Sequence, residues 1–153
     1  MPAPGSSHFA LFLHMADLRA MDKRSLTAGS LALFIAVALG AFGAHGLKSQ
    51  VGPAAVAQWH TGVEYQFYHG LGLILLALLG GRLAAGPIAL IRRFFLAGIV
   101  LFSGSIYLLA TKDILGTHAL TKVLGPVTPL GGLCFLAGWA ALFITAWRLP
   151  VDR

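Results

Sequence analysis

A chain of 153 residues that is 58% hydrophobic and only 10% charged does not suit a soluble domain, which carries about 25% charged residues and keeps much of its surface in water at this size. The mean hydropathy of +0.82 agrees. The net charge of +6 comes from eleven Lys and Arg against five Asp and Glu. These cations stand at the ends of apolar runs, where they anchor to anionic headgroups, and nothing in the chain reads as a nucleic-acid module.

Residues 1–20 hold a short apolar patch, Phe9 to Leu13, broken by His14. The patch is too short to span. Two readings stay open: a short interfacial helix, or an extension ahead of a start at Met21. A cleaved signal peptide does not fit, because the apolar stretch that follows is too long.

That stretch, Ser25 to Leu47, contains no charged residue and is the first expected span. A crossing helix needs about 20 mostly apolar residues. A second span is expected between Glu64 and Arg82, a third between Arg93 and Lys112, and a fourth between Lys122 and Arg148. The second is the weakest, with an apolar heart from Leu71 to Leu79, and it borrows length from the helix before it. Gly86-Pro87 breaks the chain, so spans two and three should form a tight hairpin. Continuous rather than alternating apolar runs exclude a barrel. The expected fold is an all-α membrane protein, a four-transmembrane-helix bundle over residues 25–148. Residues 1–24 and 149–153 flank it.

Counting cations orients the bundle. The N-terminus, the middle loop and the C-terminus share Arg19, Lys23, Arg24, Arg82, Arg92, Arg93, Arg148 and Arg153, against Lys48, Lys112 and Lys122 on the other side. The richer side faces the cytoplasm, with both termini, in a bacterial inner membrane.

Lipid gives helices no hydrophobic reason to associate, so close packing needs small residues. Span one offers Ala28, Ala32, Ala36, Gly40 and Ala44 at fourfold spacing. Span three has Gly98, Gly104 and Ser105. Span four has Gly131, Cys134, Gly138, Ala141 and Thr145. Cys134 is the one cysteine, which rules out an intrachain disulfide or a Cys-based cluster and reads as packing.

The stretch from Ala44 to Gly70 concentrates polar groups: His45, Lys48, Gln50, Gln58, His60, Glu64, Gln66 and His69, with Trp59, Tyr65 and Tyr68. Pro53 suits a first helical turn. The spacing predicts an amphipathic helix running into span two. Val56, Trp59, Val63 and Phe67 share one face, and Gln58, Thr61, Tyr65 and His69 the opposite one. His60 and Glu64 at i, i+4 have the reach to share a metal ion with His45 or His69, although no HExxH pattern exists. His45 with His69 would suit haem or quinone only if they face each other. The plainer reading is a hydrogen-bonded cluster capping the outer end of the bundle, with Glu64 satisfying a histidine. No cofactor is predicted.

Four runs carry a family resemblance: Val37 to Leu47, Trp59 to His69, Leu101 to Tyr107, and Val127 to Gly132 followed by Ala137-Gly138-Trp139. Together they resemble the YgdD/YwdK family of small four-span bacterial inner-membrane proteins, a domain of unknown function (DUF 423). The resemblance covers about residues 25–148. It implies the topology and the membrane, and no activity. The motif positions that could bear a shared function are His45, Glu64, Tyr65, Gln66, His69, Ser103, Ser105, Tyr107, Thr128 and Pro129.

The expected function is a non-enzymatic one exercised through contacts, as an accessory or assembly component of a larger membrane complex or as a small homo-oligomer in the bilayer. The alternative is an outer-leaflet binder of lipid, quinone or metal, built from His45, Glu64, Tyr65 and His69 and closed by Ser103, Tyr107 and Thr128. A membrane-embedded enzyme is the weakest reading, because it needs a perturbed acid–base pair in the outer cluster.

Overall fold

The structure is a computed structural model and describes residues 21–150. The readings made for residues 1–20, and for the end of the tail at 151–153, lie outside the described residues. Helix α1 is Lys23–His45, followed by a 3-10 turn, Leu47–Ser49. Helix α2 is Pro53–Leu78 and α3 is Ala85–Gly98. A π-helical segment, Ile99–Ser103, continues α3 into α4, Gly104–Ala110. The short α5, Lys112–Leu115, and a second 3-10 turn, His118–Leu120, lead to α6, Thr121–Trp147.

Local chemistry explains the ends. Asp22 caps α1, its carboxylate accepting from the Ser25 amide at 3.1 Å and the Ser25 hydroxyl at 2.5 Å. Pro53 opens α2 at a position where its missing N–H costs nothing. Gly116, at φ 65°, ends α5 in the left-handed region. Pro126 and Pro129 sit inside α6. Each removes one backbone donor, which a membrane helix tolerates where neighbours resupply the bonding. The carbonyls that lose a donor are those of Lys122 and Gly125; the Thr128 hydroxyl bonds back to a third, that of Leu124, at 3.2 Å.

Three stretches are long and apolar enough to cross a bilayer: Lys23–Ser49, Ala85–Ala110 and His118–Trp147. Helix α2 has the length, 26 residues, but its first half carries Gln58, His60, Glu64, Gln66 and His69, and it stands outside that set.

Three antiparallel pairings make the bundle. Helix α1 lies along α2, α3 and the π segment lie along α6, and α2 joins the halves through α4 and the π segment. Small residues set each approach. A Cβ on Gly29 would stand 2.9 Å from the Ile74 side chain and 3.0 Å from the Gly70 carbonyl, and one on Gly43 would stand 2.6 Å from the Trp59 indole. Between α3 and α6, a Cβ on Gly138 would stand 2.6 Å from the Phe95 ring, and one on Gly98 would run into the Phe135 ring. Phe95 and Phe135 belong to the main apolar core with Leu73, Leu76 and Ile91.

Two expected faces differ from the structure. In α1 the buried line runs Ser25, Gly29, Ala32, Ala36 and Gly43, whereas Ala44 is exposed and Ala28 and Gly40 are half-buried. A strict fourfold stripe drifts around a helix of 3.6 residues per turn, so the contact line has to step by three as well. In α2 the buried line passes through Trp59, Gly62, Gln66, His69, Gly70, Leu73 and Leu76, while Phe67 is exposed. His69 thus lies inside the bundle rather than on the face opposite Trp59. Lipid inverts the soluble rule: apolar side chains go outward at no cost, and polar ones turn inward to partners.

At the end where α1 and α3 begin, Arg92 reaches Asp22 at 2.7 Å, and the Asp22 amide donates to the Ala77 carbonyl at 3.0 Å. Three helices are tied there. Burial alone would raise the Asp22 carboxyl, but the Ser25 donors and the Arg92 guanidinium outweigh it and hold the pKa below the ordinary value. A folded pKa lower than the unfolded one stabilises the fold fully above the ordinary carboxylate range and is lost as pH falls through the lowered one. The melting midpoint of the wild-type protein in detergent should therefore drop between neutral and acid pH more than that of Asp22→Asn, which keeps the cap and lacks the charge. Parallel pH curves for the two proteins would remove the ion pair from the account.

Candidate functional site

The inward polar residues of α2 sit where three helices meet. Gln66 is almost fully buried. Its Nε2 donates to the Ala32 carbonyl of α1 at 2.9 Å, and its Oε1 accepts from the Tyr107 hydroxyl of α4 at 3.0 Å. One amide thus binds the helix before it and the helix beyond it. Two turns earlier, Trp59 donates its indole N–H to the Leu39 carbonyl at 2.9 Å and rests against the Tyr107 ring at 4.6 Å.

His69 lies one turn deeper. Its Nδ1 is 2.7 Å from the Tyr65 carbonyl, and the Trp139 indole N–H reaches its Nε2 at 3.1 Å. An indole N–H only donates, so Nε2 accepts and Nδ1 carries the proton given to the carbonyl. Both ring nitrogens are thereby committed, and no lone pair is left for a metal or haem iron. The ring also stacks on Phe135 at 3.4 Å and 11°.

Between α4 and α6, the Ser105 and Thr128 hydroxyls stand 2.7 Å apart. Ser105 is also 2.9 Å from the Phe102 carbonyl. Two hydroxyl protons serve three contacts, counting the Leu124 carbonyl, so the donor order along this chain has two alternatives. Ser103 is fully buried, and its hydroxyl has no hydrogen-bond partner among the described residues. It lies in the π segment, where the Gly104 amide bonds to the Ile99 carbonyl five residues back. Such a widened turn resets which side chains face the neighbours.

The polar residues singled out in the sequence therefore divide. Gln66, His69, Ser105, Tyr107 and Thr128 bond across or along helix interfaces, and Ser103 is buried beside them in the chain. His45 and Glu64 are exposed, His60 is half-buried, and none of the three side chains makes a hydrogen bond or ion pair among the described residues. The cluster capping the outer end, with Glu64 satisfying a histidine, does not form in this structure. Tyr65 packs its ring on Phe102 at 4.6 Å and remains 39% exposed. Among the described residues no group of three metal-ligating side chains comes together. Trp59, Trp139, Asp22 and Arg92 hold positions as central as any chosen from the sequence. Trp139 had a signal, as part of a family motif. The Asp22–Arg92 pair had none, since 70 residues separate the partners.

The family model for the "Protein of unknown function (DUF423)" matches residues 39–132. UPF0382 membrane protein YwdK of Bacillus subtilis is 41% identical over 119 residues, covering 77% of this chain and 91% of the relative. UPF0382 membrane protein SH2409 of Staphylococcus haemolyticus is 40% identical, covering 78% and 92%. UPF0382 inner membrane protein YgdD of Escherichia coli K12 is 41% identical, covering 76% and 83%. No solved structure matches.

Proposed function

This chain belongs to the DUF423 family, whose relatives here are named as membrane proteins, and from that premise we propose a non-enzymatic role exercised through contacts. It acts as an accessory or assembly component of an inner-membrane complex, or as a small homo-oligomer. The observation that carries this reading is how the inward polar atoms are used. Gln66, His69, Tyr107, Ser105 and Thr128 direct their polar atoms at one another and at neighbouring helices. Their chemistry goes into holding the bundle, which leaves the outward faces to do the recognising. Helix α6 turns Leu133, Leu136, Phe143 and Trp147 outward, a row available to lipid or to another helix.

In this proposal α2 is the fourth crossing helix. Its polar inward face is sheltered by α1 and α4, and its outward face shows Phe67, Leu71, Leu75 and Leu78. The termini and the 79–84 connection face the cytoplasm, as the excess of cations on that side favours.

Single-cysteine variants on a Cys134→Ala background test both parts. In intact cells an impermeant maleimide should label cysteine placed at Gly52 and at Gly116 but not at Gly86. Cysteines along the outward row of α6 should cross-link within native membranes into a dimer or to one stoichiometric membrane protein. Labelling at Gly86 would overturn the topology. A chain that stays a monomer, with nothing linked to it at any outward position, would overturn the contact role.

A further inference from the structure

A cleft of about 680 Å³ opens where α1 and α3 begin, between Met21, Lys23, Arg24, Ala85, Ala89 and Arg92. We infer that this cleft seats the phosphate of an anionic phospholipid. Three cations line it, against one carboxylate, Asp22. That carboxylate is occupied from within, since it accepts from the Ser25 amide, the Ser25 hydroxyl and Arg92. Arg92 spends one Nη1 donor on Asp22, and a guanidinium has five donors in a planar fork that matches phosphate oxygens. Lys23 and Arg24 are exposed and their side chains make no hydrogen bond among the described residues, so their charge is open to a ligand. Ala84 gives α3 no side-chain cap, which leaves its first amides facing the same side without a side-chain acceptor.

The position in the bundle argues for a lipid. The cleft lies at the end of the bundle where α1 and α3 start and α6 finishes. There Trp147 is 79% exposed, and an exposed aromatic next to Arg148 marks the headgroup level. A cleft of this size is within the range of about 300–1,000 Å³ typical of small-molecule sites. Residues 1–20 bring one carboxylate, Asp17, and one guanidinium, Arg19, so they supply no net negative charge for it. The inference rests on the bundle lying in a bilayer, and on neither the contact role nor which leaflet the cleft faces.

Native mass spectrometry of the full chain in detergent, with phosphatidylglycerol and phosphatidylcholine of the same acyl chains, tests it. The wild-type protein should retain phosphatidylglycerol preferentially. Lys23→Ala/Arg24→Ala should lose that preference by about twenty-five-fold, each cation near an anionic headgroup being worth roughly fivefold in binding. Lys112→Ala/Lys122→Ala, at the other end, should keep it. Both exposed positions leave the Asp22–Arg92 pair intact, and an unchanged melting midpoint checks the fold. Equal retention of the two lipids, or an undiminished preference in Lys23→Ala/Arg24→Ala, would overturn the inference. Millimolar inorganic phosphate binding alone and displacing the lipid would overturn the lipid assignment in favour of a free anion.

Discussion

Gly131→Ala should destabilise the bundle by about 1–3 kcal/mol, the usual cost of forcing an extra carbon into a packed core. The reason is where the new atom would go. A Cβ on Gly131 meets the backbone of the π segment, 2.7 Å from the Phe102 Cα and 2.8 Å from the Leu101 carbonyl carbon, and closer still to the Phe102 nitrogen. A side chain can turn away from such an intrusion, but backbone cannot. Either α6 moves outward or the π segment rewinds, and both disturb the Ser105–Thr128 contact beside it. Gly104→Ala is the matched control, because nothing lies within 4 Å of a Cβ there. It should leave stability unchanged or raise it slightly, as alanine is the better helix former. Reversible unfolding in bicelles reads both. If the two variants behave alike, the close approach of α6 to the π segment is wrong.

Replacing Gln66 should cost about 1–2 kcal/mol. Interhelical hydrogen bonds in membrane proteins average about 0.6 kcal/mol and reach about 1.7, and Gln66→Leu removes two of them. It keeps the approximate volume, so little of the loss comes from a cavity. The Ala32 carbonyl sits within α1 and keeps its helical partner, whereas the Tyr107 hydroxyl is left without its acceptor in a half-buried place. An orphaned polar group is the dearer of the two losses. Gln66→Glu is a useful companion, because a carboxyl keeps an acceptor for Tyr107 but, when ionised, gives nothing to Ala32.

Much of this fold was legible in the sequence, and the reasons it was legible are physical. Charge-free apolar runs read as spans because a bilayer leaves a helix no other use for them. Pro53 marked a helix start through backbone chemistry that does not depend on neighbours, whereas Gly86-Pro87, expected to break the chain, lie inside the first turn of α3, and the chain turns before them, at 79–84. The glycines at 98, 131 and 138 were visible as a packing surface before their partners Phe135, Phe102 and Phe95 were known. The rotational setting of each helix was harder to read. The face of α2 was chosen by its apolar residues, Val56, Trp59, Val63 and Phe67, and the bundle buries the line through Gln66 and His69 instead. That choice depends on what α1 and α4 offer, which is a carbonyl at Ala32 and a hydroxyl at Tyr107.

The site divided for the same reason. His69, Gln66 and Tyr107 were chosen for their chemistry and do meet partners, but those partners are Trp139, Ala32 and one another rather than His45 or Glu64. A period of four places His60 and Glu64 on one row of the helix, and says nothing of whether another element covers that row. The π segment left no local mark either. Its widened turn arises where Gly131 brings α6 against it, and a contact between residues so far apart in the chain has no signature in either stretch alone.

The inward polar residues interlock the helices, and a double-mutant cycle on Gln66 and Tyr107 tests this most directly. Gln66→Leu, Tyr107→Phe and the double variant are unfolded reversibly in bicelles beside the wild-type protein. The structure predicts that the double variant is more stable than the two single losses would sum to, by about 0.5–1.5 kcal/mol, as for residues sharing a bond. Losses that simply add would mean the two side chains do not meet. Gln66 would then be free to face a ligand, and the contact role proposed here would lose its support.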